Sequence, residues 1–155
     1  MNGKTLNTAE LMKGTDGCLF VEYNGTNVPL LEVENYSINM NFAAAQKQYV
    51  GNPVVQNVPT GVSFTLAITE SVVRDEPIID VILEAIRNGK FPVFNFQSKL
   101  EKPDGQEQRY ALNNAVPSGE FGLQNVTPGE ICNRTMNFAL NEIPDTISSI
   151  KSTYL

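Results

Sequence analysis

The chain has 155 residues, 41% of them hydrophobic, with 11 basic side chains against 17 acidic ones and no histidine. That is enough for one domain with a sizeable core and too apolar for wholesale disorder; no apolar run approaches the ~20 residues of a membrane span. A net charge of −6 argues against a groove that grips nucleic acid through clustered Lys and Arg, and the missing histidine removes the commonest acid–base catalyst and metal ligand at neutral pH.

The opening "MNGKTLNTAELMKGTDG" lacks the apolar centre of a signal peptide, so synthesis and residence in a cytoplasm are expected, with residues 1–16 as an N-terminal arm. The first strand is "CLFVEY", 18–23, followed by Asn24-Gly25, the dipeptide that favours a two-residue hairpin because both positions want positive φ. The return strand starts near Val28 and carries through "VPLLEVENYSINMNF" to about Phe42, long enough to require a bend or bulge. Residues 43–61, "AAAQKQYVGNPVVQNVPTG", hold two prolines and two glycines and no helical stripe, and read as a loosely structured extension joining two long hairpin arms. Alternation resumes in "VSFTLAIT", 62–69.

One helix is predicted over 76–89. Asp75 or Glu76 can cap it, Pro77 fits its first turn, and Ile78, Ile79, Ile82, Leu83 and Ile86 make one apolar stripe. Gly89 supplies a left-handed C-terminal stop. Strands are then expected at 91–100, 108–116, 120–126 and 131–140, with a turn at Pro103-Asp104-Gly105. Cys18 and Cys132 each fall on the apolar side of their pattern, which predicts two buried thiols rather than a metal cluster.

Three strands share an unusual feature. Opposite the apolar positions of 36–42 stand Ser37, Asn39 and Asn41; opposite those of 62–69 stand Ser63, Thr65, Ala67 and Thr69; opposite those of 131–140 stand Asn133, Thr135, Asn137 and Ala139. A solvated strand face ordinarily carries Lys and Glu. A face of hydroxyls and amides suits a wet surface that neither binds nor repels what passes it. Period-two alternation then directs Ile38, Met40, Phe64, Leu66 and Phe138 to the subunit core.

Catalytic patterns are weak. "NGKT" lacks the glycine spacing of a phosphate-binding loop, and the acid pairs Glu32/Glu34 and Asp75/Glu76 are of the kind that is usually solvated. Phe94 and Phe96 alternate as core residues rather than interleaving with Arg, as single-stranded nucleic acid binding would need. No enzyme activity, cofactor or metal is expected.

The order of elements, from a short hairpin through "TGVSFTLAITESVVRDEPIIDVILEAIRNGK" to "FNFQSKLEKPDGQEQRYALNNAV", "NRTMNFAL" and "IPDTI", resembles the tail tube proteins of contractile-tailed bacteriophages, in particular the PBSX-type family of phages and defective prophage particles. The likeness runs from about Gly14 to Ile147. It implies a mainly β fold, a barrel-like sandwich of two packed antiparallel sheets with one flanking helix, shared with the tube protein of type VI secretion. It also implies homo-hexameric rings stacked into a hollow tube inside a virion or phage-tail-like particle, assembled in the host cytoplasm. The implied partners are the tail sheath and the baseplate and tape-measure proteins, with DNA as unbound passing cargo and no membrane. On this resemblance Ser37, Asn39, Asn41, Ser63, Thr65, Thr69, Asn133, Thr135 and Asn137 line the lumen. Residues 43–61 form the loop to a neighbouring ring, through Gln46, Lys47, Gln48, Tyr49, Asn52, Gln56 and Asn57. The alternatives are a tube-initiating baseplate component of the same fold, which would carry insertions, and a carbohydrate-binding β-sandwich, which would want Trp platforms where this chain has no Trp.

Overall fold

The computed structural model describes residues 11–149; residues 1–10 of the expected N-terminal arm lie outside them. A 3-10 turn, Gly14–Asp16, leads into β1 (Gly17–Tyr23), and β2 (Thr26–Pro29) returns beside it. Asn24 and Gly25 take φ of 52° and 78°, the positive pair that a type I′ turn demands. The long return strand breaks at Leu30–Glu32, where the Leu30 amide donates to the Leu19 carbonyl (2.9 Å). Past the break run β3 (Val33–Lys47) and its antiparallel partner β4 (Gln56–Ser71).

α1 (Ile79–Arg87) follows β4. Its N-cap is Ile78, without a side-chain cap; the Asp75 carboxylate is turned to Arg134 instead. Ile78 and Ile79 enter the core, and Val81, Ile82 and Leu83 pack against it, while Ile86, expected in the stripe, is exposed one turn beyond that contact. Gly89 ends the helix at φ 74°, its amide donating to Ile86 and that of Lys90 to Ala85, the C-terminal arrangement that glycine permits at low steric cost.

The remaining strands are β5 (Phe94–Glu101), β6 (Glu107–Pro117), β7 (Asn133–Leu140) and β8 (Asp145–Ser148). The strand expected at 120–126 is irregular backbone instead. Gly122 lies against Arg134 and Thr135, and only isolated bonds, such as the Gly122 amide to the Thr135 carbonyl (3.0 Å), tie the segment to β7. Gly119 at φ 74° and Gly129 at φ 84° bend the chain out of strand geometry on either side.

Among the described residues the fold is mainly β with one α-helix, and its layers are parts of one antiparallel eight-stranded sheet, in the order β2-β1-β5-β6-β7-β4-β3 with β8 beside β6. The two sheets expected from the sequence are joined through β6, which pairs with β5 along most of its length and with β7 at Ala115–Pro117. One core cluster draws Leu19 and Val21 from β1, Leu66 and Ile68 from β4, Phe96 from β5, Leu112 from β6 and Met136 and Phe138 from β7. A flat sheet cannot bring these together, so the sheet curls around them. Phe138 sits at the centre, edge-on to Phe94, Phe96 and Phe121 at 4.9–5.6 Å between ring centroids, a geometry that aromatic quadrupoles favour.

Candidate channel-lining face

Strand register decides which side chains share a surface. Asn39 stands opposite Thr65, and Thr65 opposite Ala139; Ser37 stands opposite Ala67, and Ala67 opposite Asn137. The row Asn35–Thr69–Thr135 lies on one side of these, the pair Asn41–Ser63 on the other, and Asn133 opposite Ser71 at the margin. All nine residues singled out from the sequence therefore fall on one face spanning β3, β4 and β7. The face carries no charge between its margins. Where Glu34 enters at one edge, its carboxylate accepts from Ser71 Oγ (2.9 Å). Internal links are few, among them Asn39 Nδ2 donating to Ser37 Oγ (3.4 Å) and Asn137 Nδ2 to the Glu120 carbonyl (3.3 Å). Such short side chains on a rigid sheet give up little conformational freedom and leave their polar groups to water.

The opposite face of the same strands is apolar and changes character along its length. Leu66, Ile68, Met136 and Phe138 are buried and Ile38 and Phe64 pack against them. Met40, expected in the core, is 61% exposed, and Phe42 beyond it 73% exposed. β7 ends at Leu140, in the row of Phe64 and Met40, and among the described residues the hairpin contributes nothing to the core past that row. Val62, opposite Phe42, is exposed there too.

The expected loose extension is thus mostly strand. Pairing continues through Ala44↔Pro59, Gln46↔Asn57 and Lys47↔Gln56, with a register shift at Ala43/Ala44, and Pro59 is accommodated at that shift. Only 48–55 form the tip, closed by the Asn52 amide on the Tyr49 carbonyl (3.1 Å) and by Asn52 Oδ1 accepting from the Val54 amide (3.0 Å). Gln46, Lys47, Gln48, Tyr49, Asn52, Gln56 and Asn57 are all exposed on this ribbon. Prolines and glycines had hidden the strand because their signal is local, whereas cross-strand pairing is not.

A second feature lay outside the sequence reading. Arg134, buried on β7, donates from Nε to Glu70 Oε1 (2.6 Å), from Nη2 to the Arg74 carbonyl (2.6 Å) and from Nη1 to Asp75. Arg74 in turn binds Glu32 (2.9 Å) and the Pro29 carbonyl (3.0 Å). This network ties the end of β4, the start of β7, the approach to α1 and the β2–β3 break. Burial pushes the Glu70 carboxyl above its usual range, with Arg134 pulling the other way. The only sign in the sequence is a lone Arg amid small uncharged residues. Cys18 and Cys132 are free and half-buried rather than buried: the core-facing residues of β1 are Leu19 and Val21, which puts Cys18 on the other face, and Cys132 precedes β7.

The model of the family described as "Phage tail tube protein" (DUF2001) matches residues 4–144. The chain belongs to that family. It is a structural component of the tail tube of a phage or phage-tail-like particle. Among solved structures, the tail tube protein is similar to a chain in the structure of the anti-feeding prophage tube-terminating cap (TM-score 0.66, 12% identity, covering 96% of this chain and 99% of that one). It is also similar to a chain of the sheath–tube complex of PVC, an extracellular contractile injection system, in its extended state (0.62, 11%, 92% and 100%). A third likeness is to the SPP1 tail tube (0.61, 12%, 91% and 81%). At these identities the likeness carries the fold. No curated protein sequence matches the chain.

Proposed function

We propose that the tail tube protein polymerises as stacked hexameric rings, with the uncharged β3–β4–β7 face lining the channel and the β3–β4 ribbon reaching the neighbouring ring. The observation that carries this reading is the pairing of two faces on one hairpin. One is wet and free of charge across three strands, and the other is apolar and left uncovered from Met40 to Val62. A monomer gains nothing from exposing Met40 and Phe42 side by side with Val62. A polymer buries them at about 25 cal/mol per Å² of apolar surface. An uncharged channel wall lets DNA, with one charge per ~1.7 Å of axis, pass without condensing on it, and the net charge of −6 disfavours retention. The sheath, baseplate and tape-measure proteins are the further partners of such a tube.

Negative-stain microscopy and sedimentation of the purified protein test the reading. Rings and tubes are expected on concentration; a protein that stays monomeric at high concentration overturns it.

A further inference from the structure

The curled sheet does not close. Its two margins approach each other at a seam between the end strand β3 and β1, the strand next to the other end, bridged by the Tyr36 hydroxyl donating to the Cys18 carbonyl (3.5 Å). The seam opens into a cleft of about 730 Å³ lined by Leu19, Leu30, Leu31, Val33, Tyr36 and Leu100, with Glu34 the one charged residue at its wall, its carboxylate accepting from Ser71 Oγ. Leu31 at the mouth is almost wholly exposed. The volume falls within the about 300–1,000 Å³ of clefts that seat a ligand-sized group, and the lining is mostly apolar.

Lys47 is the only charged residue between Asn35 and Thr69. It sits at the base of the ribbon tip, exposed, and makes no ion pair among the described residues. Next to it the tip exposes Tyr49, Val50, Val54 and Val55. Tip and cleft stand at opposite ends of β3, up to about 45 Å apart at ~3.3 Å per residue. No tip can therefore fill its own cleft, whereas a head-to-tail contact between copies repeats without closing and generates a filament.

Resting on the tube reading above, we infer that the β1–β3 cleft receives the ribbon tip of a second copy of this chain in the adjacent ring. Tyr49 and the tip valines enter the apolar cleft, and Lys47 pairs with Glu34 at its wall. The single charge on an otherwise neutral ribbon then sets the register of stacking, since like charge placed there repels.

Charge exchange tests the pairing. Lys47→Glu and Glu34→Lys are each expected to leave the thermal melt of the subunit unchanged, because both side chains are exposed, and to lose most sedimentable tube; the double variant regains it. In a Cys18→Ser/Cys132→Ser background, tubes grown from mixed Lys47→Cys and Glu34→Cys subunits should give a covalent dimer of the two on oxidation. Tubes that form normally in every variant, a double variant that stays as defective as the singles, or mixed tubes without that dimer overturn the proposed contact while leaving the tube reading intact. Wild-type protein that forms no tube at all overturns the tube reading, and this contact with it.

Discussion

The β3–β4 hairpin is one element with two halves that share a pattern and differ in fate. Near Tyr36 and Ile68 its apolar side chains lie against β1, β5, β7 and α1 in the core. From the Met40–Phe64 row outward the same alternation continues through Met40, Phe42 and Val62, which are exposed. Alternation therefore specifies that a face is to be covered, and says nothing about which chain covers it. The two halves ought to respond to mutation through different measurements, folding for the first and assembly for the second.

The sharpest contrast comes from placing Lys in each half. Leu66→Lys buries an unpaired charge at a fully enclosed site and should destabilise the subunit by more than about 4 kcal/mol. Met40→Lys should shift stability by less than about 0.5 kcal/mol yet prevent tube formation. Thermal melting separates the two, and equal destabilisation would erase the distinction between the halves. Arg134→Ala probes the anchored half in another way: it strands Glu70 and should cost about 3–5 kcal/mol, read by denaturant unfolding. A loss below about 1 kcal/mol would mean that the network is an ornament of the folded state.

On the free half, replacing residues 44–58 by a short Gly/Ser link should leave the melting transition nearly in place, since loop length enters stability only at about 0.6 kcal/mol per doubling, and should abolish tube growth. A collapse of stability would show that the ribbon supports the core. On the uncharged face, Asn39→Lys with Thr65→Lys sets two like charges directly across strands, a cost of about 0.2–1 kcal/mol. Tubes should still form, now retaining DNA in a salt-dependent manner. Loss of assembly with a folded subunit would move these residues to an interface.

The smallest effect concerns pH. The Glu70 carboxyl is pushed up by burial, against the pull of Arg134, so between the ordinary glutamate value and its raised one the folded chain holds a proton that the unfolded chain has lost. The Glu70 contribution to stability therefore falls as pH rises through that window and is level above it. The stability of wild type relative to Glu70→Gln, measured by urea titration at several pH values, should follow that slope. A difference that grows with pH would reverse the assignment.

Much of this was legible from the chain itself. The Asn24-Gly25 hairpin, the helix stop at Gly89 and the uncharged positions of 36–42, 62–69 and 131–140 are set by local φ preference and period-two alternation, both carried by neighbours in sequence. The grouping of Ser37, Thr65 and Asn137 onto one surface needed register and strand order, which depend on partners up to a hundred residues away. So did the ribbon, where paired backbone overrode the prolines and glycines of 43–61, and the Arg134 network, which joins residues from four parts of the chain. Met40 marks the boundary most clearly. Its alternation made it apolar-facing, but whether a core stands opposite depends on which elements pack across from it, and only tertiary structure decides that.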